Sequence, residues 1–440
     1  MADAKVHADD EVVRFTSELI RIDTSNRGDG DCAERPAAEY VAERLSDAGL
    51  DPLLLESAPG RANVVVRLEG ADPERPALLV HGHLDVVPAE PADWTVHPFS
   101  GEVRDGWVWG RGAIDMKNMV AMMLTLARSR TTEGRRPTRD VVMAFTADEE
   151  DSAEAGSEWL VRNQPDLFEG CSEGISESGA YTFHAGNGLR LYPIGAGERG
   201  TAWLELAARG TAGHGSRSND DNAVGALAGA VARIDEHRWP VRLTPTVRAA
   251  ITGLAEAVGI EAHPDDPHLD VDDLLQRLGP AARLLIHTIR NSANPTMLRA
   301  GYKVNVIPGS ATARVDGRVL PGAEAEFEQT LDELTGDRVD WTYLHREIPL
   351  EAPVDSPTFG AMRTALLAED PGSHVVPVCL AGGTDAKQFS RLGITGYGFS
   401  PLLLPPGFDY SAAFHGVDER VPVEGLRFGL RVLDHFLSNC

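Results

Sequence analysis

Cysteine is scarce. The 440-residue chain has four, Cys32, Cys171, Cys379 and Cys440, far apart and with no CxxC pair. That spacing excludes a zinc ribbon and a disulfide framework, and suits reduced thiols in a cytoplasmic setting. No run of about 18 apolar residues occurs, so no transmembrane helix is expected. The opening stretch "MADAKVHADDEVVRF" lacks the apolar core of a signal peptide. Basic charge is in deficit: 41 Lys and Arg stand against 67 Asp and Glu, a formal net charge of −26. Such a surface repels phosphate backbones and anionic lipid, which argues against nucleic acid and membrane as partners. Internal repeats and low-complexity tracts are absent as well. "GAGERG" (195–200) has glycines but no nucleotide-binding helix after it, so it is not a phosphate loop.

What remains is the makeup of a globular protein, 42% hydrophobic and 25% charged. A chain of this length exceeds one ordinary core, so two domains are expected. Apolar spacing predicts helices over 9–22 and 34–49. Short apolar runs predict strands at 62–68, 77–82, 140–147 and 173–177, and "MKNMVAMMLTLA" (116–127) between them predicts a buried helix. Strands alternating with helices imply an α/β sheet. After the Gly-rich joint at 192–200 the pattern changes. A strand (201–210), a helix (221–237), two strands around Pro308–Gly309 (302–320), a helix (322–336) and a strand (339–348) give the order βαββαβ of a small α+β domain. Residues 240–300 look like an insertion within it. A helix at 356–370 and the amphipathic 424–437 then return to the first domain, so the second is inserted into the first. The expected division is 1–197 and 351–440 for one domain and 198–350 for the other.

Ligand sites of α/β sheets lie beyond the carboxyl ends of strands. Polar residues gather at such ends: His83 and Asp85 after "ALLVHG", Asp115 in "GRGAIDMKN", Glu149 and Glu150 in "TADEE", Glu177 after "EGIS", and His415 in "AAFHGVDERV". Several carboxylates converging on one crevice resist ionisation. Divalent cations remove that conflict, and imidazole with carboxylate suits zinc, with cobalt or manganese as substitutes. Two ions about 3.5–4 Å apart, sharing one carboxylate, would hold a bridging hydroxide. Asp85, two residues beyond His83, lies on the same face of an extended chain and can orient its imidazole. His81 shares that face too and reads as a hydrogen-bonded core histidine. Met116, Met119, Met122 and Met123 read as core filler.

"HGHLDVVP", "GRGAIDMKN", "TADEE" and "FHGVDERV", in this order, resemble the co-catalytic zinc aminoacylase/carboxypeptidase family. It includes succinyl-diaminopimelate desuccinylase, acetylornithine deacetylase, carboxypeptidase G and carnosinase-like dipeptidases. The resemblance covers nearly the whole chain. It implies a zinc-exopeptidase-like α/β/α catalytic domain with an inserted ferredoxin-like α+β lid and dimerisation domain. It also implies two zinc ions per chain: one held by His83, Asp115 and Glu177, the other by Asp115, Glu150 and His415. Glu149 would be the general base, Asp85 would orient His83, and the Asp115–Met116 bond would be cis. "GTAGHGS" matches a lid segment whose histidine, here His214, reaches a neighbouring active site and stabilises the oxyanion, unless it merely occupies a turn. Asn305 and Arg318 could meet a substrate carboxylate, though Arg318 also reads as a structural partner of Asp316. Gly382, Gly383 and Thr384, in "GGTDAK", resemble the Gly-rich loop near the substrate.

One position departs from the family pattern. Ser178 stands where members often carry the first glycine of Glu-Gly-Gly, and Glu173 is a nearby competitor of Glu177. The implied activity is hydrolysis of an amide bond in a small N-acyl amino acid or dipeptide-like molecule by a homodimer joined through the lid, with a monomer as the alternative. Dipeptidase or carboxypeptidase action and an idle metal-bound binding protein are the rival readings.

Overall fold

The computed structural model describes residues 2–28, 30 and 32–440, with side chains from residue 8 onward. It divides into two compact units. One comprises the chain up to Ala196 with Ala352–Pro377 and Thr384–Cys440; the other comprises Gly197–Glu351 and Val378–Gly383. Residues 378–383, expected with the returning part of the first domain, therefore group with the second unit.

The first unit is built on a mixed sheet. Its strands run in the order Leu53–Ala58, Arg61–Leu68, Val141–Thr146, Ala77–His83, Cys171–Ser176, Thr395–Gly398 and Arg190–Glu198. The four from Val141–Thr146 to Thr395–Gly398 are mutually parallel, so their carboxyl ends share one edge. Ala77–His83 is buried along its whole length, as a central parallel strand must be. Its alternate residues feed two cores. Leu78 and Val80 join the one filled by Met116, by Met119, Met122 and Met123 of the buried helix Lys117–Thr132 that follows it, and by the C-terminal helix Val423–Leu437. Leu79 joins the one with Leu160, Phe168 and Phe389. Helices on both faces give the α/β/α layering.

The second unit holds a four-stranded antiparallel sheet, ordered Ser292–Ala300, Ser310–Val319, Gly200–Arg209 and Val339–Arg346. With helices Ala223–Glu236 and Glu324–Thr335 the chain order is βαββαβ. Two assignments differ from expectation. The stretch read as a Gly-rich joint at 192–200 is mostly the buried strand Arg190–Glu198 of the first sheet. The strand before Pro308–Gly309 is only Val306–Ile307, paired with Gly213–His214, and the sheet strand is Ser292–Ala300, which the composition places in the insertion. It is an edge strand, exposed over most of its length, with a register shift between Pro295 and Met297. Edges tolerate proline and bulges, so its sequence carries no alternation to read. The remaining insertion is helical, with Pro245–Val258 and Val271–Leu278.

Candidate metal centre

The parallel strands deliver their polar ends to one edge. His83 closes its strand, 1% exposed, with Thr146 beside it in register. Its Nδ1 lies 3.0 Å from the main-chain oxygen of Asp85. A carbonyl oxygen only accepts, so Nδ1 carries the proton and Nε2 is turned toward Asp115 Oδ1, 3.2 Å away. The Asp85 carboxylate stands farther off, 3.5 Å from Nδ1. Its oxygens accept from the amides of Glu149 and Glu150, each at 3.1 Å, and from Asn26 Nδ2 at 2.9 Å. Asp85 thus orients His83 chiefly through its backbone and anchors the two glutamates with its side chain.

Asp115 is the junction. Oδ1 faces His83, and Oδ2 lies 3.0 Å from His415 Nε2. The same His415 nitrogen is 3.1 Å from Glu150 Oε2. Around His83 Nε2 stand Glu177 Oε2 at 3.8 Å and Glu149 Oε2 at 3.9 Å. The Asp115–Met116 bond is cis. Glu173, the competitor of Glu177, is engaged with Arg139 at 2.9 Å and Thr358 at 2.5 Å near the other end of its strand. Asp148, Ser178 and His415 take φ of 65°, 65° and 55°, in the left-handed region. Ser178 thus occupies a conformation that favours the glycine common there.

The electrostatics are those of a site short of positive charge. Burial pushes the Glu177 carboxyl up to about 8, despite the opposing influence of His83. Glu149 is held well above the usual carboxylate range by burial and then by Glu177. Burial and Asp115 also raise Glu150. Hydrogen bonds to Asp115 and Glu150 lift His415 to about 10. Burial opposes charge on His83, but Asp115, Asp85 and Glu177 together raise it well above its ordinary value.

The residues fit a pair of divalent ions. Two ligand atoms each about 2.0–2.2 Å from one ion, at a tetrahedral angle, stand roughly 3.3 Å apart, and the separations above bracket that spacing. Two groups, His83–Glu149–Glu177 and His83–Asp115–Glu150, place donor atoms within 4.8 Å of one another. Glu150 Oε1 is buried with no hydrogen-bond partner, as a ligand oxygen would be.

The other anticipated residues lie elsewhere. His81 is buried against Phe389, ring centres 4.9 Å apart, and burial pushes it down to about 3, so it stays neutral. Its Nδ1 is buried with no hydrogen-bond partner. His214, Asn305, Arg318, Gly382 and Gly383 belong to the second unit. His214 and Asn305 are exposed at one small two-stranded sheet, formed by Gly213–His214 and Val306–Ile307, where His214 Nδ1 meets Ser216 Oγ at 2.9 Å. Arg318 forks onto Asp316 at 2.8 and 3.2 Å and also donates to Thr201 Oγ1. Thr384 is buried at the start of the return to the first unit, next to Asp385, whose carboxylate accepts from Ser157 and from Thr146 at 2.7 Å.

Behind the site lies a buried network that no motif announces. Arg61 forks onto Glu34 at 2.6 and 2.7 Å and donates to Asp148 Oδ1 at 2.6 Å; Asn26 links Asp148 to Asp85. Glu34 and Arg61 stand in no pattern that separates them from ordinary surface charges.

The fold, the convergent carboxylates and the paired imidazoles define a metallohydrolase of amide bonds, and the chain belongs to Peptidase family M20/M25/M40, whose model matches residues 79–439. Among relatives, the N-fatty-acyl-amino acid synthase/hydrolase PM20D1 of Xenopus tropicalis is 25% identical over 452 residues, spanning 98% of this chain and 86% of its own. Aminoacylase-1 of Sus scrofa is 26% identical over 409 residues, spanning 91% and 89%. The fold is shared with the M20 family metallo-carboxypeptidase Sso-CP2 from Sulfolobus solfataricus, at a TM-score of 0.72, 18% identity and coverage of 98% and 99%.

Proposed function

We propose that the protein is a dinuclear zinc hydrolase that cleaves the amide bond of a small N-acyl amino acid or dipeptide-like substrate. One observation carries the dinuclear reading: the two oxygens of Asp115 are divided between His83 and His415. In this reading His83, Asp115 and Glu177 hold one ion, Asp115, Glu150 and His415 the other, and cobalt or manganese can replace zinc. Bound there, the ions supply Lewis acidity toward an amide carbonyl and a lowered pKa for water.

The chain's own groups do the rest. The Asp85 carbonyl fixes His83 Nδ1–H, so Nε2 stays a ligand. Glu149, left out of both ligand sets, takes the proton of the attacking water at Oε2 and passes it to the departing amine; its raised proton affinity suits that exchange. Asn305 serves the substrate carboxylate with Gly382, Gly383 and Thr384 near it, whereas Arg318 is engaged with Asp316.

The same reading takes the working form to be a homodimer in which the partner's His214 supports the oxyanion. Support comes from the open edge strand Ser292–Ala300 and from Leu298, Tyr302 and Val304, which are 55%, 82% and 102% exposed; unpaired edges and exposed apolar groups favour association. The four scattered cysteines, none in a CxxC pair, suit a cytoplasmic setting.

The names of the similar synthase/hydrolase and aminoacylase favour acylated amino acids over peptides as substrates. The test is a panel of N-acyl amino acids, from acetyl to long-chain acyl, and dipeptides, read by mass spectrometry on protein stripped and reloaded with zinc, cobalt or manganese. N-acyl amino acids should be hydrolysed by loaded protein, chelator should abolish turnover, and added metal should restore it. A fully loaded protein that cleaves nothing in the panel would identify an idle binding protein instead.

A further inference from the structure

The two residues that meet over the centre, Asp115 and His415, are also tied together from behind. Glu419 is fully buried. Its Oε2 accepts from Arg111 Nη1 at 2.7 Å and from the Gly112 amide at 3.1 Å; its Oε1 accepts from the amides of Ile114 at 2.7 Å and Asp115 at 3.2 Å. Arg111 Nη2 donates to the His415 carbonyl at 3.2 Å. Arg111 itself is 3% exposed and lies over the Trp94 ring, 5.2 Å from its centre. A ring of contacts is thereby closed: Glu419 to the Asp115 amide, Asp115 Oδ2 to His415 Nε2, the His415 carbonyl to Arg111, and Arg111 back to Glu419.

We propose that Glu419, acting with Arg111, is a positioning residue that sets the separation of the Asp115 and His415 side chains and so the affinity for the ion they would share with Glu150. The carboxylate is suited to this because each oxygen faces two N–H groups. It gathers the amides of the 112–115 turn in the way an anion gathers those of a helix start. A rigid turn alone would not involve His415, but Arg111 extends the grip to that loop. The inference rests on the ligand assignment proposed above. It says further that the two ions depend unequally on a residue that touches neither.

The test uses the full chain, stripped by chelator, with zinc and cobalt titrated calorimetrically and the cobalt visible bands recorded. In Glu419→Gln one of two binding steps should weaken by about 10–100-fold, as loss of a group that orients metal ligands does. The other step should hold, and the cobalt bands of the weakened site should change. In Arg111→Lys, where one ammonium cannot serve both Glu419 and the His415 carbonyl, the same step should weaken less. A merely structural role would lower the melting temperature of the stripped protein and shift both steps together, and that pattern overturns the proposal. If Glu419→Gln does not fold, Arg111→Lys decides alone: two wild-type binding steps in it overturn the proposal. A wild type that takes up no ion overturns the ligand assignment itself. Two ions held equally well by wild type and folded Glu419→Gln overturn only the positioning role.

Discussion

Glu149 and Glu150 are neighbours in sequence with different duties in space. Glu150 Oε2 lies against His415 at 3.1 Å, whereas Glu149 Oε2 stands 3.9 Å from His83. The turn that separates them starts at Asp148, whose left-handed backbone follows directly on the Val141–Thr146 strand and Ala147. Glu149→Gln keeps the volume and removes the proposed base. Two ions should still bind, as counted by elemental analysis, while kcat falls by about 10²–10⁴, the usual worth of a general base. His83→Ala should instead lose metal. Full turnover in Glu149→Gln would move the proton transfer to another residue, with Glu150 the first to examine.

At the scale of elements, the turn after Val141–Thr146 is held by buried charge. Arg61, from a neighbouring strand, is shared between Glu34 and Asp148, with side chains 10%, 0% and 4% exposed. Removing one partner leaves buried carboxylates without compensation. Arg61→Met should therefore lower the stability of the metal-free chain by about 3 kcal/mol, read as a shift in the denaturant midpoint. The parallel strand ends are readable in the sequence because a continuous apolar run must be covered on both faces, which leaves a terminal His or Glu standing at the open edge of the sheet. Glu177 is favoured over Glu173 in the sequence because it follows the strand's carboxyl end, and the fold adds that Glu173, inside Cys171–Ser176, is engaged with Arg139 and Thr358. The Arg61–Glu34–Asp148 network, Asn26 and the grip of Glu419 leave no local trace, because each is made by residues brought together across the sheet. Ser292–Ala300 is hidden for another reason: an edge strand with one neighbour is under weak patterning pressure.

At the scale of the molecule, the dimer and the role of His214 are tested together. His214→Ala and Glu149→Ala are each expected to be nearly inactive alone, since one oxyanion donor is worth about 10²–10³ in rate. Mixed under conditions that exchange subunits, half the dimers carry one subunit of each kind, and each of those regains one intact site. About a quarter of wild-type activity should return. Demonstrated exchange without recovery rules out the trans role. The long path between the centre's residues has a consequence for biosynthesis. His83, Asp115, Glu150 and Glu177 all precede the second unit, whereas His415 follows it. On the ribosome the first four are therefore made well ahead of the last, by roughly 10–50 s at ordinary elongation rates. On the proposed ligand assignment, a nascent chain lacks one ligand of the ion shared by Asp115 and Glu150 until the segment carrying His415 and Glu419 has emerged, so a chain released early should bind metal more weakly.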